Sequence, residues 1–356
     1  MVLNFNADNL QYNYNLRGSS ARTCVQLSRM PEQELQEDSD KFEQEVSRAI
    51  ATFVTDPQAF INVFQVNLRK VFYILFSIQP RDQTPSGRMV PIAEVSTNRI
   101  KEMISYAAAS VTTQERFHFY QTISSQPLFK ACAGQMFKRF VLSWLASLHK
   151  GSLSLHCTPH TPHAPHTLRT PCIPATPPVL EISAYGEEYT YFFSSLAALK
   201  EKAGMDKPLC LLPTSQTLVA VDAIILTKSN IITVQVTISR SHSTKKDGLK
   251  EIKKSLPHSL IKNCKWCHVF ITDDYVKAES LRGQTLSDLP NNIFIYSVVF
   301  DVGQLDITHA HLEAFDKKKV SVFWLHVISA YWGITVTSNL NMLAKIVWTL
   351  TMSDDD

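Results

Sequence analysis

A chain of 356 residues, 45% hydrophobic and 19% charged, carries enough apolar material for two or three globular domains, which argues against wholesale disorder. A formal net charge of only +3 excludes a bulk polycation, so any nucleic-acid surface must come from local clustering of Lys and Arg. The seven cysteines, at 24, 132, 157, 172, 210, 264 and 267, are odd in number and irregular in spacing. They do not read as a disulfide framework, and reduced thiols in the nucleus or cytoplasm are the simpler account.

Residues 1–39 are polar and rich in Asn and Gln, and read as a loose N-terminal arm. They contain no apolar stretch after a basic start, so no signal peptide is expected and secretion would need another route. From residue 40 to about 150 the period is helical. Ser39 and Asp40 are expected to cap a helix through Phe42, Val46, Ile50 and Phe53. Residues 59–76 repeat that spacing, and Pro80, Pro85 and Gly87 mark a turn-rich break at 79–88. Residues 95–109 and 114–125 read as further helices. A stronger one at 131–149 has apolar residues at 137, 140, 141, 144, 145 and 148.

Composition then shifts. Residues 151–178 are dense in Pro and His, which predicts an extended linker or insert without helix or sheet ladders. His156, His160, His163, His166, Cys157 and Cys172 could ligate zinc or copper, but their spacing fits no tetrahedral pattern. Incidental residues of a low-complexity insert are the favoured reading.

Beyond the insert, short strands are predicted at 179–183 and 189–193, with a short helix at 194–202. Residues 218–227 (LVAVDAIILT) and 231–239 (IITVQVTIS) are rich in β-branched side chains, and Lys228-Ser229-Asn230 makes a tight turn between them. Residues 245–256 read as an amphipathic helix closed by Pro257. Strands follow at 266–272 and 292–300, so strand pair, helix, strand, strand predicts an α/β arrangement with a mixed sheet. Residues 313–356 form an apolar C-terminal segment. Its stretch 320–336 contains His326 and falls short of the ~18–20 clean apolar residues of a spanning helix, so a buried or docking element is favoured over a membrane span.

The hairpin carries the candidate chemistry. Asp222 stands in an otherwise apolar strand, where a carboxylate needs a cation, hydrogen bonds or a metal. Gln235 and Thr237, two apart, share one face of the next strand. Paired across the turn, Asp222 and Gln235 could offer oxygen ligands to Mg2+, which could polarise an attacking water against a phosphodiester. The stretch 240–262 holds seven Lys and Arg against Asp247 and Glu251. Of these, Arg240, Lys245, Lys246, Lys250, Lys253 and Lys254, with His242 beside them, form a candidate phosphate-binding surface. A solvated helix face is the plainer account of such a run. Cys264 and Cys267 make a lone C-x-x-C, for which two half-buried thiols at a strand start are expected rather than zinc or redox use.

The string VDAIILTKSNIITVQVTISRSHSTKKDGLKEIKKSLP resembles the nuclease-like domain of Crinkler-type and retrotransposon-hot-spot-type proteins. The residues that carry the resemblance are Asp222, Gln235-Val236-Thr237, His242, Gly248-Leu249 and Leu256-Pro257, with Ala133-Gly134-Gln135-Met136-Phe137 similar to that domain's opening helix. The resemblance implies a restriction-endonuclease-like PD-(D/E)xK fold over 179–312 and a fungal-looking source. It also implies Mg2+ as cofactor and a nucleic-acid partner, DNA ahead of RNA. By it, Asp222, Gln235, Thr237 and His242 would be the catalytic set. Active members carry an acidic residue and a lysine where this chain has Gln235 and Thr237, and often a glutamate where it has Lys138. A nuclease, an inactive effector or interaction module on the same fold, and a decayed gene product are the readings that follow. No G-x-x-x-x-G-K-[ST] phosphate loop occurs in the chain.

Overall fold

A computed structural model describes residues 14, 17, 25–27, 29–66, 74–80, 91–146, 155–159, 180–182, 185, 187–203, 208–214, 221–239, 246–282, 293–302 and 312–319. The chain divides into two compact units, one of residues 1–136 with 302–309, the other of residues 137–301 with 310–356.

The first unit is mostly helical. Helix α1 (Glu32–Thr55) starts behind Pro31, with Glu32 and Glu34 favourably placed against the positive end of its dipole. The start is therefore earlier than Ser39-Asp40 suggested, and Ser39 is buried within the helix. Its inward residues Leu35, Val46, Ala49, Ile50, Phe53 and Val54 recur at three- and four-residue steps. Asp56 ends α1 and begins α2 (Pro57–Val66), its carboxylate accepting from Ala59 N at 2.9 Å.

The hairpin β1 (Phe76–Pro80) and β2 (Pro91–Val95) pairs antiparallel with Phe76 opposite Val95. Phe76 was expected at the end of a helix and Val95 at the start of one, so both are corrections. A β-branched-poor segment ending in proline gave little strand signal. Helix α3 (Asn98–Ser110) is capped by the Thr97 hydroxyl, which accepts from Ile100 N at 3.1 Å. Helix α4 (Thr113–Ser125) carries a reciprocal Thr112–Glu115 capping box. The buried Arg116 donates to the carbonyls of Ala108, Ala109 and Val111, satisfying the open end of α3. Phe53 is the hub of the core, with ring centroids 4.8 Å from Phe60, 5.3 Å from Phe76, 5.0 Å from Phe119 and 5.7 Å from Phe129.

The second unit takes the part of α5 (Lys130–Ala146) from Phe137 onward. Its remaining elements are β3 (Leu155–Pro159), β4 (Leu180–Ile182), β5 (Thr190–Phe193), α6 (Leu196–Ala203), β6 (Leu209–Pro213), β7 (Ala223–Leu226), β8 (Asn230–Val236), α7 (Lys246–Ser255), α8 (His258–Asn263), β9 (Lys265–Thr272), α9 (Tyr275–Arg282), β10 (Ile293–Val299) and α10 (312–319). The sheet order is β4-β3-β10-β9-β8-β7-β6-β5. The central six strands, β5 to β10, are mixed. β8, β9 and β10 run parallel, β6-β7-β8 alternate antiparallel, and β5 lies parallel to β6. The expected α/β arrangement is therefore present.

The β7–β8 hairpin forms as predicted. The Thr227 hydroxyl accepts from Asn230 N at 2.9 Å, and Thr227 N donates to Asn230 O at 2.9 Å, fixing Leu226 opposite Ile231. One sheet face is packed by Leu199 and Ala203 of α6, by Leu249 and Ile252 of α7 and by Leu256 just past it. These meet Leu209, Leu211, Ile224, Leu226, Ile231 and Trp266, each such burial contributing roughly 1.5–3 kcal/mol before entropy is counted. Phe300, just past β10, packs on Phe137 and Trp144 of α5, and Phe315 of α10 packs on Phe192.

Two strands of this unit also depart from the sequence expectation. β6 was not predicted, because LCLLP lacks β-branched residues and alternation. β3 lies inside the Pro/His segment expected to form no ladder. β4 pairs only with Leu155–Cys157, so Pro159, opposite Tyr296 of β10, sits where the second side of the strand needs no donor. The candidate ligands His160, His163, His166 and Cys172 lie outside the described residues, as does the apolar stretch 320–336. Among the described residues no helix is long and apolar enough to cross a membrane.

Candidate functional site

Asp222 sits on a bend one residue before β7. Its backbone N–H donates to Val234 O at 2.8 Å. The pairing ends at Ala223–Val234 and Asp222 shares Val234 with Ala223, so the strand bulges there and Asp222 is not set opposite Gln235 as the sequence suggested.

The carboxylate is already engaged on both oxygens. Oδ2 accepts from Val236 N at 2.7 Å, and Oδ1 takes the ammonium of Lys138, on α5, at 2.5 Å. The Asp222 side chain is 9% exposed and that of Lys138 42%. The acid is thus buried while the lysine side chain stays partly exposed, which keeps the desolvation cost of the pair down. The residues flanking Lys138 fix the rotation of α5. Phe137 is fully buried against Phe300, and Arg139 pairs with Asp316 of α10.

Gln235 and Thr237 are 7% and 9% exposed, too closed for a phosphodiester to approach without rearrangement. Thr237 extends the sheet by donating its N–H to Ile271 O, and its hydroxyl accepts from Ser239 N at 3.0 Å, ending the strand in a small turn. His242, Arg240 and Lys245 lie outside the described residues. Lys246, Lys250, Lys253 and Lys254 are all on α7. Lys250 pairs with Asp247 at 3.3 Å and Lys254 with Glu251 at 2.7 Å. The hydrogen bond and charge of Glu251 raise the Lys254 ammonium above the ordinary lysine range. The cation on Asp222 therefore comes from α5, not from the basic helix.

Mg2+, implied by the resemblance, does not fit these donors. One carboxylate is present, with both oxygens engaged; Gln235 brings no charge; the Thr237 hydroxyl is committed to its turn. Hard divalent ions take oxygen ligands and are held by one or two free carboxylates. Among the described residues no group of three or more His, Cys, Asp or Glu side chains is placed to hold a metal ion.

A polar cluster that sequence reasoning missed lies further along the same strand face. Thr233, two residues before Gln235, donates its hydroxyl to Cys267 O at 3.1 Å. That hydroxyl also lies 2.9 Å from His268 Nδ1 and accepts from Trp266 Nε1 at 3.3 Å. Thr233 and His268 are fully buried. The signal available in the sequence was the polar alternation Thr233-Gln235-Thr237 in β8, matched across the parallel register by His268 beside Thr233. The same alternation sends Cys267 and His268 to opposite faces of β9, so they cannot share a metal. Burial pushes the Cys267 thiol up to about 11, and the half-buried Cys264 rests near Lys228 O. Both behave as structural thiols.

The chain matches no family model, no curated protein and no solved structure.

Proposed function

We propose that the sheet-bearing unit is a restriction-endonuclease-like module of a Crinkler-like protein that binds nucleic-acid phosphates, DNA ahead of RNA, without hydrolysing them. The observation that carries the reading is the engagement of Asp222 by Lys138 and Val236 N–H, which leaves no free carboxylate to recruit Mg2+. Support for the fold assignment is the order of antiparallel hairpin, basic helix and parallel strand, β7-β8-α7-β9, over the stretch that carries the resemblance. Support for phosphate binding is α7, whose apolar side is buried in the core while four lysines against Asp247 and Glu251 lie along the rest of it. The residues at Gln235 and Thr237 add to the case against cutting, since neither supplies the charge that phosphoryl chemistry needs.

The test uses the full chain with plasmid DNA and Mg2+ or Mn2+. The expected result is intact plasmid, together with a gel shift that weakens steeply with salt. Replacing Lys250 and Lys253 by Ala should reduce the salt slope by about one for each phosphate that is no longer neutralised. Nicking by the wild type that Asp222→Ala abolishes would overturn the reading. A chain that binds neither DNA nor RNA at low salt would instead favour an interaction scaffold, to which the balanced Lys250–Asp247 and Lys254–Glu251 pairs already lend weight.

A further inference from the structure

We infer that Lys138 is the resident cation of the Asp222 site, a tethered ammonium that does the charge-balancing work of a metal ion and thereby keeps divalent ions out. The inference shares with the proposed function the placement of Asp222, but its test reads metal binding and stability rather than nucleic acid.

A carboxylate 9% exposed at the end of an apolar strand needs a cation or several donors. The backbone gives Asp222 one donor, Val236 N–H, and the register that places it there is fixed by the rest of the hairpin. The second oxygen faces α5, where Lys138 arrives between two anchored neighbours, Phe137 against Phe300 and Arg139 against Asp316. The lysine's aim is thus set by packing on both sides of it. Its ammonium lies 2.5 Å from Oδ1, inside the volume that a divalent ion at about 2.1–2.5 Å from the same oxygen would need. Two cations cannot share that space, and the tethered one does not have to be captured from solution.

Removing the ammonium should therefore convert Asp222 from a salt-bridge partner into an ion-seeking carboxylate. Lys138→Met keeps the length of the aliphatic stem and deletes the charge. The expected result is a lower Tm in EDTA than wild type, and recovery by Mn2+ of about 2–4 °C at roughly tenfold over its Kd. Wild type and Lys138→Arg should show no Mn2+ response. The double variant Lys138→Met/Asp222→Asn should lose the response, because the charge to be balanced is gone. Should Lys138→Met fail to fold in EDTA, Lys138→Gln carries the same comparison with a milder loss. An Mn2+ response in wild type equal to that of the variants, or none in either variant, would overturn the inference. A plain structural ion pair would lower Tm in the variants without making them sensitive to the metal.

Discussion

The two units bury polar groups for different ends. Among the described residues of the helical unit, the buried polar side chains either finish helices or, like Ser39 and Ser105, lie inside them. Thr97 caps α3, Arg116 closes its far end, and Ser105 bonds back to Lys101 O within it. Around them the core is a cluster of phenylalanines. In the sheet unit, Asp222, Thr233, Gln235, Thr237, His268, Thr272 and Ser297 are buried on or beside strands, most of them on the central parallel strands or at their ends. Polar side chains that terminate helices explain themselves locally. Polar side chains gathered along a sheet do not, and the second unit is accordingly where a function should be sought.

That contrast can be broken by substitution. The largest effect is expected at Phe53, which packs against four other phenyl rings; Phe53→Ala should cost about 3–5 kcal/mol in urea denaturation through the cavity it leaves. A loss below about 1 kcal/mol would mean the first unit does not depend on that cluster. Asp222→Ala comes next, at roughly 2–4 kcal/mol, because it strands both Val236 N–H and the Lys138 ammonium. Asp222→Asn keeps an acceptor for Val236 and should lose about half as much. Thr233→Val, nearly isosteric, should cost about 1–3 kcal/mol by leaving the Trp266 indole N–H without its acceptor, and it should shift Trp fluorescence as well. An unchanged spectrum would mean that the Trp266–Thr233 hydrogen bond is not kept in solution.

The sequence made the sheet unit more legible than its site. β7, β8, β9 and β10 announce themselves by runs of Val, Ile and aromatic residues, and the turn at Lys228–Asn230 fixes the one register the site depends on. β6 hides because Leu, Cys and Pro carry no strand period. β3 hides because Pro159 looks prohibitive until the neighbour on that side is known to stop at Cys157. For the site, alternation in β8 was enough to put Thr233 and Gln235 on one strand face, but no pattern showed that the preceding strand bulges at Asp222. What no local pattern could supply was Lys138. It lies on a helix far away in the chain, and only the packing of Phe137 and Arg139 decides which way it points. Sequence spacing left the partner of Asp222 open between a cation, hydrogen bonds and a metal. The fold supplies it from α5.

Asp222 is satisfied from within, and the most direct measurement of this is the electron paramagnetic resonance signal of free Mn2+ titrated with the wild-type chain. The six-line signal should stay undiminished at protein concentrations equal to the metal. Loss of about one Mn2+ per chain, abolished by Asp222→Ala, would show that the carboxylate takes a divalent ion after all.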